Sequence, residues 1–104
     1  DLFTTNPKRL QQGIQMGAAN TMLLKVNQVG TITEAFDAVQ LAYRHGYGVM
    51  PCSSRGEGAV IADYAVGLGA GHQRGGASSN RLLKIEAELG DNAKFLGKKA
   101  LKIR

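Results

Sequence analysis

Short apolar runs alternate with helix-like stretches along the chain, and this order restricts the fold more than any other feature of the sequence. Three runs have the length and character of strands, at residues 21–26, 49–52 and 72–75. Helical patterns flank and separate them, with connections of only a few residues. Strands that alternate with helices pair in parallel through right-handed crossovers, so the sequence predicts an α/β fold.

Capping residues mark the starts of the first two predicted helices. Asn6 before Pro7 predicts a helix start, because an Asn side chain accepts from free amides and proline at the first helical position loses no bond. Thr31 with Glu34 three residues later forms a capping box before the second helix. We expect that helix to bury an apolar stripe made of Ile32, Phe36 and Val39.

Two further helices are predicted over residues 59–68 and 80–89, the last one ended by Gly90. The first of these is so apolar that we expect it to be buried, with only Asp63 and Tyr64 as polar surface. Val60 and Val66 belong to its expected buried set.

Three strands form neither a closed barrel nor a doubly wound sheet. With only three Phe and three Tyr in 104 residues, the chain also has little large apolar surface to bury alone. We therefore predict the C-terminal portion of a (β/α)8 TIM barrel, with C-terminal βα units in residues 1–93 and a basic tail in residues 94–104. Chemistry in such barrels lies at the carboxyl ends of strands, here near residues 25–27, 52–57 and 74–76.

The net charge of +5 comes from the tail. Five of the 13 basic residues lie from Lys94 onward without any acid, which leaves eight bases against eight acids elsewhere. A nucleic-acid-binding face typically interleaves bases with aromatics, and the tail has one aromatic, Phe95. We expect a solvated tail and no nucleic-acid partner.

Other classes of protein are disfavoured by what the sequence lacks. No apolar run approaches the ~20 residues that span a bilayer, and the N-terminus has no signal-peptide pattern, so we expect no membrane partner. Cys52 is the only cysteine, which excludes an intrachain disulfide and favours a reducing, cytoplasmic setting.

Lys25 is the residue that most strongly indicates chemistry. It stands within an apolar strand, where its amine would be buried, and burial moves the pKa of an amine toward the range of a general base. A lysine that reaches solvent from a strand end is the equally weighted alternative. The three following residues include no acid that would pair with a surface lysine, which favours the buried position.

Two segments resemble the enolase family. Residues 23–34, LLKVNQVGTITE, are similar to the family's sixth-strand motif, and residues 1–9, DLFTTNPKR, are similar to the segment that precedes it. Residues 61–63, 82–86 and 88–90 resemble the family's later helices. The resemblance covers almost the whole chain and implies a magnesium-dependent lyase that assembles as a homodimer or higher homo-oligomer.

By this resemblance Lys25 is the general base, which removes the proton next to the carboxylate of 2-phosphoglycerate on the way to phosphoenolpyruvate. The enediolate so formed carries two negative oxygens, which Mg²⁺ and fixed cations stabilise. The family's metal ligand is the aspartate immediately before the position of Asp1. We therefore expect the Mg²⁺ ligands upstream of this chain and none within it, Asp1 included.

The two anion-binding segments depart from the family pattern. The family's loop after the seventh strand reads SHRSGET and its arginine binds the phosphate, whereas residues 52–58 here read CSSRGEG. The histidine is absent and the arginine stands one place later. The family's carboxylate-binding lysine in GQIKTG aligns with Arg74 in GHQRGG, which keeps the cation but changes its shape. The substrate-binding residues predicted here are Cys52, Ser53, Ser54, Arg55 and Arg74.

Each of these assignments has a simpler alternative. Arg55 is a solvated loop residue in the simpler interpretation, and Cys52 lines the site rather than acting as a nucleophile. We expect His45 to interact with the dipole at the end of a helix and to take no part in catalysis. We expect His72 to face away from the site.

Three functions remain open. The first is enolase-type lyase activity on 2-phosphoglycerate or a related phospho- or phosphono-hydroxy acid. The second is an enzyme of phosphonate metabolism similar to carboxyphosphonoenolpyruvate synthase, favoured by the altered loop. The third is a non-catalytic enolase-like binding protein. In the two enzymatic cases the partner is a small phosphorylated or phosphonate carboxylic acid.

Overall fold

The computed structural model describes residues 1–74 and 78–102. The first two predicted strands form, each between helices, and two short 3-10 helices at Gly90–Asn92 and Gly97–Ala100 follow the last α-helix. None of the helices in these residues is long and apolar enough to cross a membrane. The elements in chain order are α1 (Pro7–Gln15), β1 (Thr21–Leu24), α2 (Val26–Val29), α3 (Ile32–Arg44), β2 (Gly48–Pro51), α4 (Val60–Gly67) and α5 (Ser79–Leu89).

The sheet is parallel, as the alternation predicts. β1 pairs with β2, with Thr21 opposite Gly48 and Leu24 opposite Pro51. β1 is shorter than the predicted 21–26, because the Lys25 amide leaves the ladder and donates to the Thr5 hydroxyl at 3.0 Å. Lys25 is then the residue before α2.

The third predicted strand is reduced to a single parallel bridge between Cys52 and Arg74 in the described residues. The Arg74 amide donates to the Pro51 carbonyl at 2.8 Å, which extends the sheet by this one position. Gly75, the last residue of the predicted strand, lies outside the described residues. Residues from all three predicted strand segments therefore meet at the carboxyl end of the sheet.

The predicted helix caps are confirmed. The Asn6 side-chain oxygen accepts from the amides of Lys8 at 2.9 Å and Arg9 at 3.4 Å, at the start of α1. The Thr31 hydroxyl accepts from the Glu34 amide at 3.1 Å, at the start of α3. These caps were predictable because a cap and the amides it satisfies lie within three residues of one another.

The predicted apolar stripe of α3 is confirmed only in part, since Val39 is buried and Ile32 is not. Ile32 is 50% exposed, and Phe36 is only partly buried. Phe36 packs against the margin of the main core and edge-on against Tyr64 of α4, with ring centroids 5.8 Å apart. The face of α3 that packs on the sheet is built mostly from small side chains, namely Ala35, Ala38, Val39 and Ala42.

α4 is not buried all round, contrary to the prediction. Ile61, Ala62 and Ala65 are buried, while Val60 and Val66 are exposed. The reason is that α4 packs on β2 and α5 along one side only. α5 ends at Leu89 as predicted.

The main core lies between β1, β2, α1 and α3. Alternate residues of a strand point to opposite faces of the sheet, and Met22 and Leu24 of β1 face these helices. Leu23 and Met50 lie on the opposite face and are half-buried. By the same alternation, Lys25 and Cys52 belong to this second face, which is the interior of the predicted barrel.

Part of the basic tail packs against the rest of the chain. Ala100 is buried, and the Asn20 side-chain amide donates to the Lys102 carbonyl. Phe95, in contrast, is 94% exposed. The predicted division between residues 1–93 and 94–104 stays a prediction.

Candidate active site

The ends of three neighbouring strand segments place polar and reactive side chains close together. One residue beyond the last β1–β2 pair, the chain places Lys25 beside Cys52, and Cys52 in turn pairs with Arg74. The Cys52 amide donates to the Leu24 carbonyl at 2.9 Å, which continues the ladder to this level. An amine, a thiol and a guanidinium thus come from three successive βα units at one edge of the sheet.

Lys25 is buried, with 8% of its surface exposed. Its ammonium nitrogen lies 2.7 Å from a carboxylate oxygen of Asp1 and donates a hydrogen bond to it. The buried interpretation of Lys25 therefore describes this side chain, and the solvent-reaching alternative does not. Its acidic partner was not predicted, because it lies 24 positions earlier in the sequence.

Thr5 fixes the backbone at Lys25. Its hydroxyl accepts from the Lys25 amide at 3.0 Å and lies 3.2 Å from the Leu23 carbonyl, to which it can donate. Thr5 is fully buried and has a φ of 53°, which β-branched residues rarely adopt. Strained, buried residues of this kind cluster at functional sites. The sequence offered no indication of Thr5, since a threonine between a turn and a helix is usually exposed.

Asp1 is held by a second bond. Its other carboxylate oxygen accepts from the Gln28 side-chain amide at 3.3 Å, and the Gln28 side-chain oxygen lies 3.3 Å from the Thr5 hydroxyl. Asp1, Gln28 and Thr5 therefore form a chain of hydrogen bonds from the Lys25 ammonium to the Lys25 backbone. Both carboxylate oxygens of Asp1 are engaged in it.

The residues present do not fit a magnesium site. Within residues 1–74 and 78–102, no three His, Cys, Asp or Glu side chains lie close enough together to hold a metal ion. Because a Mg²⁺ ion in proteins is held by carboxylates and water in octahedral geometry, Asp1 alone is insufficient. No chemical step is assigned to a metal in this chain.

The Cys52 thiol is buried between two cations. Burial opposes the charged thiolate, but hydrogen bonds from the Ser54 side chain and amide and the positive charges of Lys25 and Arg74 outweigh it. Together they lower the pKa of the Cys52 thiol below its ordinary value. The Ser54 hydrogen bonds contribute more to this shift than the charges of Lys25 and Arg74 do.

A buried carboxylate organises the loop after β2. Glu57 is 9% exposed, and its two oxygens accept from the backbone amides of Arg55 at 2.9 Å and Asn27 at 3.1 Å. The Asn27 side-chain amide donates to the Arg55 carbonyl at 3.1 Å. The side chain of Arg55 is exposed and makes no ion pair with any described residue, and the same holds for Arg74.

Residues 1–104 match the family model for the enolase C-terminal TIM barrel domain. The chain belongs to the enolase family. An enolase of Methanopyrus kandleri is 53% identical over 105 residues, which cover 91% of this chain and 25% of that protein. An enolase of Pyrococcus furiosus is 50% identical over 113 residues, which cover 99% of this chain and 26% of that protein. The chain thus spans about a quarter of the length of these curated relatives.

Membership of the enolase family confirms the predicted fold class. The parallel β1–β2 pair, the bridge at Arg74 and the intervening helices are the C-terminal portion of a (β/α)8 barrel. The carboxyl edge of the strands is the face on which such barrels carry their active sites. Lys25, Cys52 and Arg74 all lie at that edge.

The predicted site residues divide into two groups in this chain. Lys25, Cys52 and Arg74 are brought together directly by the sheet, whereas Ser53, Ser54 and Arg55 lie on the loop that follows β2. Their roles stay predictions. Sequence reasoning missed three buried or paired residues, namely Asp1 as the partner of Lys25, Thr5 and Glu57.

The two histidines lie elsewhere. The His72 ring nitrogen Nδ1 is 3.0 Å from the Ala70 carbonyl, and the side chain lines a cavity of about 500 Å³ between α4, α5 and residues 94–96. None of the predicted site residues lines this cavity. His45 follows α3, with Nδ1 3.0 Å from the Leu41 carbonyl, as expected for a residue at a helix end.

Proposed function

We propose that the full-length protein is an enolase-type lyase that converts 2-phosphoglycerate to phosphoenolpyruvate. The observation that carries this proposal is the buried Lys25 amine beside Cys52 and Arg74 at the carboxyl edge of the strands. Family membership supports it, since both relatives described above are named enolases.

Lys25 acts as the general base in this proposal. The Lys25 side-chain nitrogen takes the proton from the carbon that bears the phosphate, and the electron pair of the broken C–H bond moves into the carboxylate as an enediolate. That pair then forms the carbon–carbon double bond and expels the hydroxyl group of the next carbon, which takes a proton from an acidic group of the full-length protein and leaves as water. Asp1, 2.7 Å from the Lys25 nitrogen, stabilises the ammonium that forms when the proton is taken.

Arg74 and Arg55, which form no ion pair with any described residue, bind the anionic groups of the substrate. Arg74 lies on the far side of Cys52 from the base and holds the carboxylate, since its planar guanidinium can donate two parallel hydrogen bonds to such a group. Arg55 extends from the exposed loop and holds the phosphate, with the Ser53 and Ser54 hydroxyls as further donors. Cys52 lines the floor between Lys25 and Arg74.

The remaining properties in the proposal come from the family. Mg²⁺ dependence, a homodimeric or higher homo-oligomeric assembly and a cytoplasmic location all belong to it. When bound, Mg²⁺ supplies positive charge to the developing enediolate. We place its ligands in the part of the protein that precedes these residues.

The altered loop supports a second candidate. In this chain the loop arginine is Arg55, one place later than in the family pattern, and serines occupy the two preceding positions. A changed anion-binding loop together with an unchanged base suits a phosphonate analogue of the substrate. A carboxyphosphonoenolpyruvate synthase-like enzyme would act on such a compound. The ratio of kcat/KM for 2-phosphoglycerate to that for a phosphono-hydroxy acid decides between the two.

The test of the proposal is Lys25→Ala in the full-length protein. We expect magnesium-dependent exchange of the substrate's α-proton with solvent to fall about 10²- to 10⁴-fold, the usual contribution of a general base. Lys84→Ala is the matched control, because Lys84 is an exposed lysine of α5. Exchange that survives in Lys25→Ala contradicts the assignment of the base. A wild-type protein that exchanges no α-proton in either acid supports the non-catalytic alternative.

A further inference from the structure

We propose that Glu57 is a positioning residue of this site, which sets the place of Arg55 relative to Lys25. The inference rests on the proposed function for its kinetic consequence. Its structural basis is the hydrogen bonding of one buried carboxylate to two separate loops, and this part can be tested without turnover.

The carboxylate of Glu57 joins the segments after β1 and β2. One oxygen accepts from the amide of Asn27, two residues after Lys25, at 3.1 Å. The other accepts from the amide of Arg55 at 2.9 Å. The Asn27 side-chain amide adds a third bond between the loops by donating to the Arg55 carbonyl at 3.1 Å.

Both backbone groups of Arg55 are therefore engaged. Its amide donates to Glu57 and its carbonyl accepts from Asn27, while its guanidinium has no ion pair among the described residues. The backbone is anchored and the cationic end is left for a ligand. Because the loop arginine of this chain is Arg55, the anchoring applies to the residue that we expect to bind the phosphate.

The charge of Glu57 makes a purely space-filling role implausible. A buried carboxylate is costly unless hydrogen bonds satisfy it, and here both oxygens are satisfied by backbone amides. A negative charge near a site for an acidic substrate also opposes substrate binding. Its presence is explained by the two donors that it holds, which a neutral side chain of the same size cannot both satisfy.

The first experiment is Glu57→Gln in the full-length enzyme. Glutamine has the same shape but one acceptor oxygen, and its NH₂ group would face a second N–H donor. Losing one charge-assisted hydrogen bond predicts a rise in KM for 2-phosphoglycerate of about ten- to a hundredfold, with a smaller change in kcat. In an Arg55→Ala background, Glu57→Gln should add little further increase in KM, because both act through the same guanidinium.

Glu86→Gln is the matched control, because it removes the same charge from an exposed position on α5. It should leave KM, kcat and thermal stability unchanged. If Glu57→Gln leaves KM unchanged, or lowers kcat and the melting temperature with no change in KM, Glu57 is only a structural residue and the inference is wrong.

A second measurement separates this inference from the proposed function. Hydrogen exchange followed by mass spectrometry should show peptides with the Asn27 and Arg55 amides exchanging about tenfold faster or more in Glu57→Gln and unchanged in Glu86→Gln. An inactive wild-type protein would contradict the proposed function but leave this prediction standing. Unchanged exchange at both amides would overturn the positioning role even in an active enzyme.

Discussion

The pKa of the Cys52 thiol depends on the groups that surround it at the candidate site. Hydrogen bonds from Ser54 and the positive charges of Lys25 and Arg74 outweigh the effect of burial and lower its pKa. The thiol should therefore ionise at lower pH than an ordinary cysteine, whose pKa is about 8.5. Its ionisation at lower pH therefore depends mainly on the Ser54 hydrogen bonds and to a smaller extent on the positive charges of Lys25 and Arg74.

We predict that Ser54→Ala raises the pKa of Cys52, because the serine hydrogen bond to the thiolate is lost. The measurement is the ultraviolet absorbance of the thiolate against pH, taken as the difference between each protein and its Cys52→Ser variant. Ser53→Ala is the control and should leave the midpoint unchanged. A midpoint that stays the same in Ser54→Ala contradicts the prediction.

Residue-level features were predictable only where they depend on near neighbours or on strand alternation. The burial of Lys25 was favoured over the solvent-reaching alternative because no acid stands among the three residues that follow it. Its pairing with Asp1 and the bonds of Glu57 to Asn27 could not be inferred, because those partners lie 24 and 30 positions away. A long-range contact of this kind is set by tertiary structure and leaves no periodic pattern in the sequence.

At the scale of elements, α1 depends on a close approach that only glycine permits. Gly13 lies on the buried side of α1, and a Cβ added there would overlap the ring of Phe3. Phe3 is itself buried and packs against Tyr47, with ring centroids 6.3 Å apart, so it has little room to move. Helix propensity and packing therefore oppose one another at this position.

We predict that Gly13→Ala destabilises the protein by about 1–3 kcal/mol, despite the higher helix propensity of alanine, because overpacking outweighs it. Gly67→Ala is the control, since α4 leaves open space around that position. It should be neutral or stabilising by up to about 1 kcal/mol. Urea denaturation gives both values, and equal effects of the two substitutions would contradict the packing argument.

The pairing of α4 with α5 includes an ion pair that depends on pH. Two nitrogens of Arg81 donate to the Asp63 carboxylate, at 2.8 and 3.2 Å. This hydrogen bonding lowers the pKa of the Asp63 carboxyl below its ordinary value. A carboxyl with a lowered pKa in the folded state stabilises the fold above its unfolded pKa, and that contribution is lost as pH falls through the folded value.

We predict that the difference in melting temperature between wild type and Arg81→Gln shrinks as the pH is lowered from neutral to below about 4, where an unperturbed aspartate protonates. The difference at neutral pH should be small and should fall with added salt, since both side chains are partly exposed. Lys84→Gln on the same helix is the control. A difference that is independent of pH would exclude the ion pair as its cause.

The starts of the helices were predicted more successfully than the sides that the helices bury. Helix caps such as Asn6 and Thr31 are local and were predicted correctly. The buried face of α3 was predicted only in part, because alanines pack closely on the sheet while the larger Ile32 and Phe36 lie at its margins. Which side of a helix is buried depends on what surrounds it, and the surroundings of α4 are incomplete within this chain.

At the scale of the whole molecule, the sheet has open edges, whereas the domain of the enolase family is a closed barrel. β1 pairs on one side with β2, and in the described residues the other edge of β1 has no strand partner. The face that carries Lys25 and Cys52 is the inner wall of a barrel of which these residues supply only a part. The alternation of strands and helices predicted this architecture, because a parallel three-strand fragment cannot close on itself.

We predict that residues 1–104 expressed alone unfold without a sharp cooperative transition and bind an apolar dye, because free strand edges and exposed apolar side chains promote association. The full-length protein is the comparison and should unfold cooperatively without binding the dye. Urea titration followed by circular dichroism, together with size-exclusion chromatography, makes the test. A monomeric fragment with a steep transition would contradict it.

The loop from Cys52 to Glu57 is fastened at both ends, by the sheet at Cys52 and by the buried carboxylate at Glu57. The side chains of Ser53, Ser54 and Arg55, between these two anchors, take no part in the hydrogen bonds of Lys25. Natural selection can therefore exchange a few codons in this loop and change which acid the site that we propose accepts, while the proton abstraction that we propose for Lys25 stays intact. A new substrate preference in such a lineage needs no new scaffold.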